Sequence, residues 1–321
     1  MVSFIVIGRN EAAHLKKCLQ SVVDTIQQNQ LHAELLYVDS QSTDESVAIA
    51  NAFELCRVYG ITGQCNAAIA RNIGAKEAQG ESLFFIDGDM ELQVSFIPKV
   101  LNNDGSLKHP FVSGNFINHY YDSENNFIAE DYYRKIFCNE DTLQPTTGGL
   151  FAIKRELWES GGGMRPKFKR GQDLDLGYRL AQKGYLLLRK KETMAIHHTI
   201  DYKFSKRLWS DLLSGTGLYS RSVLYRCHLS NKYVLKRMLS SDPTMLVLVF
   251  LLLTTFIFLS LWPLFIYPFI VLIAVGYSMR KKLSLMLFER WLVQILRDVQ
   301  VLGGLFLFYP SNQVEYQYEQ V

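Results

Sequence analysis

The chain has 321 residues, enough for one large domain or two ordinary ones. Its 34 basic and 31 acidic side chains leave a net charge of +3, too balanced to point to nucleic acid as a partner. Five scattered cysteines (Cys18, Cys56, Cys65, Cys138, Cys227) with no CxxC pair argue against a disulfide framework or structural zinc and fit a reducing compartment.

Met1 to Ile7 enters a short apolar strand without a basic leader, so no signal peptide is expected. A helical pattern follows through Leu15, Leu19, Val22, Val23 and Ile26. Leu35 to Val38 reads as a second buried strand, ending in Asp39, with Ser42 or Thr43 placed to cap the next helix. Arg57 to Tyr59 reads as a third strand, and Asn66 to Gln79 as a helix of small residues that stops at Gly80. Leu83 to Ile86 is a fourth strand, and it ends abruptly in Asp87-Gly88-Asp89. Strands alternating with helices at this spacing predict a mostly parallel α/β sheet covered on both sides. Right-handed crossovers then bring Asp39, Asp87 and Asp89 to one rim, where open α/β sheets bind ligands. Hard carboxylate oxygens on a glycine turn suit Mg²⁺ or Mn²⁺ shared with phosphates. The plainer alternatives are an Asp-Gly turn closing the strand and, for Asp39, a capping or turn role.

Further on, Phe111 to Ile117 predicts a strand, Phe127 to Phe137 a helix and Leu150 to Ile153 another strand, followed by a helix from Lys154. Arg165 to Arg170 is a basic loop, read either as an anion-binding lid or as a solvated turn. From Asp173, positions 176, 177, 180, 181 and 184 share one helical face, so Asp173 opens a helix, either as its N-cap or as a site residue. His197 and His198 are adjacent and cannot point the same way on a strand. One of them could complete an Asp/Asp/His metal set, and the other would face away.

In this order the residues carry a resemblance. The sequence resembles the inverting glycosyltransferase family 2, whose fold is the nucleotide-sugar GT-A fold. Val6-Ile7-Gly8-Arg9-Asn10-Glu11 looks like the family's opening strand, and Val38-Asp39-Ser40-Gln41-Ser42-Thr43-Asp44 like its V-D-D-G-S-x-D turn. Ala70-Arg71-Asn72-Ile73-Gly74 to Ala78-Gln79-Gly80 is similar to its R-N-x-G…A-x-G helix, and Asp87-Gly88-Asp89 to its DxD motif. Gly148-Gly149 looks like a glycine pair by the donor, and Gln172-Asp173 like the family's E-D helix start. The resemblance spans roughly residues 2 to 200 and implies several roles. Asp39 contacts the uracil of a UDP-sugar, and Arg71 lies near the nucleotide. Asn10, Glu11, Ser42, Gly148, Gly149 and Arg170 join the nucleotide-sugar site. Asp87 and Asp89 hold the metal and the diphosphate, and His197 or His198 is a third ligand, written here as His197. Asp173 is the general base that takes a proton from an acceptor hydroxyl. One displacement gives inversion, and no nucleophilic residue is needed. Gln172 departs from the family's Glu and alters how Asp173 is tuned, with Asp175 as a backup candidate.

Met245 to Tyr277 is almost wholly apolar and predicts a two-span hairpin over about 245–278, turning at Pro263 and Pro268. Lys232, Lys236 and Arg237 before it, and Arg280, Lys281 and Lys282 after it, put both ends on the cytoplasmic side. Leu283 to Phe308 is interrupted by Glu289, Arg290, Arg297 and Asp298 and reads as an interfacial amphipathic helix. The expected organisation is therefore a catalytic domain at 1–201, basic and aromatic juxtamembrane helices at 202–240, a membrane region at 241–309 and a polar tail at 310–321. The expected activity is metal-dependent transfer of one sugar from a nucleotide-sugar to a lipid-linked or membrane-associated glycan, at the cytoplasmic face of the inner (plasma) membrane. Processive synthases of the family carry Gln-x-x-Arg-Trp. Here Leu287 precedes Arg290-Trp291, which reads as single-sugar transfer. The competing readings are a catalytically silent homologue acting as a scaffold, supported by Gln172, and a nucleotidyltransferase, whose phosphate loop is missing at Gly8 to Glu11.

Overall fold

A computed structural model describes residues 1–122, 124–133, 137–146, 148–200, 209–210, 213–214, 221–279, 286–311 and 313–321. Thr147, the basic flank at 280–282 and much of the expected 202–240 collar lie outside the described residues. The chain divides into two units, Met1–Asp201 with Ser311–Val321, and Tyr202–Pro310.

The first unit opens with β1 (Val2–Gly8), α1 (Ala12–Gln28), β2 (Ala33–Asp39), α2 (Ser46–Asn51), β3 (Cys56–Gly63), α3 (Ala67–Glu77) and β4 (Ser82–Asp87). β1 is buried on both faces, as its unbroken apolar run requires of a central parallel strand. It pairs in parallel with β2 and β4, and β2 pairs in parallel with β3. Asn66 caps α3 by accepting from the N–H groups of Ala68 and Ile69. The small residues of α3 let it lie against the sheet: a Cβ at Gly74 would overlap the Ile5 side chain. α2 starts later than expected. Glu45 precedes it without a side-chain cap, and Asp44 accepts from the Ser46 N–H instead.

β5 (Met90–Leu92) and α4 (Ile97–Val100) follow, then β6 (Phe111–Tyr121), β7 (Phe127–Tyr132), β8 (Thr142–Gln144), β9 (Phe151–Lys154), α5 (Arg155–Gly161), α6 (Gln172–Gln182) and β10 (Leu187–Ile200). Residues 127–132 form a strand where a helix was expected. Asp122 accepts from the N–H groups of Glu124 and Asn126, Asn125 takes a left-handed φ of 65°, and the turn returns β7 along β6. The sheet is also less parallel than expected. Among the described residues its main path runs from β11 (Tyr316–Gln320) through β3-β2-β1-β4-β9-β6-β10 to β5, and β9 is antiparallel to both β4 and β6. β11 lies in the segment expected to be a polar tail. It pairs antiparallel with β3, and Tyr318 donates to Glu77 at 2.6 Å, so the exposed edge of the parallel half is covered.

The second unit contains α7 (Val223–Cys227), α8 (Lys232–Ser241), α9 (Pro243–Phe258), α10 (Trp262–Ser278) and α11 (Met286–Leu307). α9 and α10 pack through Leu248, Leu251, Tyr267, Val271 and Val275. The chain turns at Leu259, with φ 48°, and not at the prolines: Pro263 lies in the first turn of α10 and Pro268 inside it. No single described helix is long and apolar enough to cross a membrane, although α8 and α9, bent by 90°, pass that test together. Of the charged residues of α11, Asp298 faces inward, and Glu289, Arg290 and Arg297 are half-buried. Asp298 is buried, accepting from Tyr267 at 2.8 Å and from Gln294 at 2.8 Å, while Phe288, Val299, Phe306 and Leu307 are exposed. A second buried carboxylate, Asp242, meets Arg221, Tyr225 and Arg297.

Candidate active site

The C-terminal ends of β1 and β4, the start of α3, the Gly148-Gly149 loop and the loop entering α6 enclose a cavity of about 430 Å³. Its lining includes Glu11, Arg71, Asp87, Asp89, Gly148, Gly149, Arg170 and Asp173 from the residues expected at the site. Asp87 and Arg71 form a salt bridge, and Arg71 also donates to the Gly149 carbonyl at 3.2 Å. A side chain at Gly149 would collide with both partners, so only glycine lets this loop come so close.

Four groups crowd the acidic end. Asp89 Oδ2 lies 3.1 Å from His197 Nε2, while the buried Oδ1 finds no hydrogen-bond partner among the described residues. Burial, reinforced by the charges of Asp89, Asp87 and Asp44, pushes the Glu11 carboxyl up to about 8. Asp87 is also raised, by burial first and then by Asp89, against the opposing pull of Arg71 and His197. Burial alone would lower His197, but the hydrogen bond to Asp89 and the charges of Asp89 and Asp87 raise it. The neighbouring carboxylates thus disfavour one another's ionised forms, on top of burial.

Among the described residues no three His, Cys, Asp or Glu side chains are arranged to hold a metal ion by themselves. The donors present fit a different kind of site. A small divalent cation bound with phosphates takes one or two carboxylates and keeps its other positions for substrate oxygens and water. The buried, unpartnered oxygen of Asp89 supplies such a position.

The two histidines separate cleanly. They alternate on β10, so His197 turns to Asp89 and to Asn118 at 2.8 Å. His198 turns to Glu91 at 2.7 Å and to Tyr121 at 2.8 Å, and stacks on His14.

Three expected binding residues lie outside the cavity lining and join the loops beneath it. Asp39 is buried, accepting from the Tyr37 hydroxyl at 3.0 Å and from the N–H and hydroxyl of Ser42. Ser42 in turn accepts from the Asn10 N–H at 2.8 Å, and Asn10 accepts from the Thr43 N–H at 2.8 Å. These bonds lock the β1 and β2 loops together and so set the position of Glu11.

On the far side Lys169, Arg170, Gly171, Gln172 and Asp173 line the cavity. Gly171, at φ 81°, caps α6, which places Asp173 in the first helical turn rather than at the cap. Asp175 is fully buried and paired with Arg165 at 3.4 Å and Arg179 at 3.0 Å, which gives it a structural place. Gln172 is buried, and its carbonyl oxygen has no partner among the described residues. Arg9 and Ser40, which lie inside the motifs that carry the resemblance, also line the cavity, as do Cys65, Asn66 and Tyr133, which no motif marked. The N-cap pattern at Asn66 was the one signal available for that group.

The sequence profile of the family described as Glycosyl transferase family 2 matches residues 3–162. N-acetylgalactosaminyltransferase 6 of Drosophila melanogaster is 30% identical over 189 residues, which cover 50% of this chain and 28% of that protein. A Bacillus subtilis (strain 168) protein assigned as the teichuronic acid biosynthesis glycosyltransferase TuaG is 24% identical over 215 residues, 65% of this chain and 83% of that one. The chain thus spans under a third of the fly relative's length and most of the bacterial one's. Among solved structures, GalNAc-T7 with UDP, GalNAc and Mn²⁺ aligns with a TM-score of 0.49 at 19% identity, over 64% of this chain and 44% of that one. S. aureus TarS 1-349 aligns with a TM-score of 0.47 at 13% identity, over 94% and 80%.

Proposed function

The chain belongs to glycosyl transferase family 2 through residues 3–162, and from that premise we propose that it transfers one sugar from a nucleotide-sugar, a UDP-sugar in our reading, to a hydroxyl of a membrane-associated glycan. The observation that carries this reading is the acidic end of the cavity, where Asp89 keeps a buried oxygen unpartnered beside Asp87, Glu11 and His197. The fold would then be of the GT-A type, with the donor in the crevice at the strand ends.

Asp89, with Asp87 beside it, would help to hold a divalent cation, Mn²⁺ or Mg²⁺, which would neutralise charge developing on the departing diphosphate, and His197 would orient Asp89 through their hydrogen bond. The chain's own residues do the rest. Lys169 and Arg170 attract the phosphates from the opposite wall of the cavity and help to exclude water. Arg71 neutralises Asp87 and fixes the glycine loop. Asp173, in the first turn of α6, takes the acceptor's proton.

The membrane part of the reading rests on the outer surface of the second unit. Phe250, Leu253, Phe256, Ile257, Phe265 and Phe269 are all exposed, and Asp242 and Asp298 of the same unit are buried. Water disfavours that surface and lipid favours it. Helices of 16 and 17 residues extend about 24–26 Å, short of the ~30 Å hydrocarbon core, so a hairpin of two such helices sits in a locally thinned bilayer. Lys232, Lys236 and Arg237 on α8 favour a cytoplasmic start for this hairpin. A lipid-linked acceptor follows from that location.

The test is UDP release by the full chain in detergent, across UDP-sugars with Mn²⁺, with and without extracted lipid-linked glycans. The reading predicts release that needs acceptor and falls about 10²–10⁴-fold in Asp173→Asn, with UDP affinity unchanged. Tight UDP-sugar binding with no release under any acceptor condition, in wild type and Asp173→Asn alike, would favour the silent homologue.

A further inference from the structure

Tyr133 is the one aromatic side chain lining the cavity among the described residues. It follows β7, and its ring stacks on Phe116 with centroids 4.4 Å apart and planes 28° from parallel. Phe116 is buried on β6 and meets His197 edge-on at 6.4 Å and 83°. A Cβ built at Gly148 would stand 3.7 Å from the same Phe116 ring. One buried phenyl ring therefore fixes Tyr133 relative to both the glycine loop and the histidine beside Asp89.

An aromatic ring backed by a rigid neighbour and facing a polar cavity has little use for phosphates, which seek cations. It offers an apolar face of fixed orientation. A pyranose presents a complementary surface, a patch of C–H groups on one ring face with hydroxyls around the rim. Apart from Ile7, whose branched side chain presents no flat face, the rest of the lining is charged, small or hydrogen-bonding, so no other described side chain there offers such a face.

We propose that Tyr133 is the platform on which the pyranose ring of a substrate stacks, held in register with Asp89 through Phe116. This rests on the sugar-transfer reading and names the residue that meets the sugar. Two sugars could occupy it, that of the donor or the terminal residue of the acceptor.

The test uses the full chain in detergent with Mn²⁺ and measures affinity for UDP and for UDP-glucose, UDP-galactose, UDP-GlcNAc and UDP-GalNAc. Michaelis constants for p-nitrophenyl glycosides as acceptors are read alongside. Tyr133→Leu is expected to weaken the tightest UDP-sugar by about fivefold and leave UDP unchanged, while Tyr133→Phe retains wild-type affinity for both. If the donor's affinity holds and the glycoside KM rises by a similar factor, the platform serves the acceptor. UDP weakened as much as the UDP-sugar, or no change in any of these values, overturns the proposal. Wild-type protein that binds neither UDP nor a UDP-sugar would overturn the transfer reading and this inference together, whereas normal wild-type binding with an indifferent Tyr133→Leu overturns the inference alone.

Discussion

The two units of the chain solve burial in opposite ways. In the first, Phe4, Phe84, Phe85, Phe111 and Phe151 are fully buried, and the crowded carboxylates line an open cavity. In the second, Asp242 and Asp298 are each 1% exposed, while Phe256 is 79% and Ile257 69% exposed. A water-facing unit hides its rings and leaves acids where a ligand can reach them. A unit with rings outside and acids paired within fits a surrounding that cannot solvate charge. Composition alone shows the apolar run, and the exposed rings with buried Asp242 and Asp298 are what the proposed membrane contact rests on.

Matched substitutions sharpen this contrast. Phe84→Ala removes a fully buried ring from the first unit and is expected to cost about 4 kcal/mol, read as a large fall in thermal midpoint of the detergent-solubilised chain. Asp242→Ala strands the cations Arg221 and Arg297 and the Tyr225 hydroxyl, and is expected to cost about 3 kcal/mol. A midpoint unaffected by Asp242→Ala would show that water reaches this cluster and would break the comparison. Gly149→Ala drives a methyl group into the Asp87–Arg71 pair, with an expected cost of about 2 kcal/mol and weaker UDP binding. Phe256→Ala, nominally the same change as Phe84→Ala, should move the midpoint by less than about 0.5 kcal/mol, because that ring is already outside. A large loss there would mean that the ring packs against protein in solution, as in an oligomer.

What could be read from the sequence was local. The apolar run of β4 and its Asp-Gly-Asp end, and the small-residue α3 that begins at Asn66, each depend on neighbours a few residues away, and each lies where its pattern put it. Asp173 and Arg170 reach the cavity as expected. Asn10, Asp39 and Ser42 carry the right motifs, but Ser42 bonds back to Asp39 within its own turn and across 32 residues to Asn10, and no spacing rule shows the second link. β7 was misread because its Tyr and charged residues mimic a helical face, and the deciding signal was the Asp122 turn before it. Tyr133 gave no signal at all. Its place depends on β6 and β10 pairing over more than 70 residues, which brings Phe116 and His197 together. Periodicity locates the charges of α11 without saying what covers them, and Asp298 is covered by Tyr267 and Gln294.

The central claim is that the acid cluster at the end of β4 exists to bind a nucleotide diphosphate together with a divalent cation. The most direct measurement is UDP binding to the full chain by titration calorimetry, with Mn²⁺ and with EDTA, for wild type and Asp89→Asn. The account predicts that Mn²⁺ strengthens UDP binding in the wild type and that Asp89→Asn loses this response. UDP binding that is equally tight with EDTA, or a Mn²⁺ response that persists in Asp89→Asn, would contradict it.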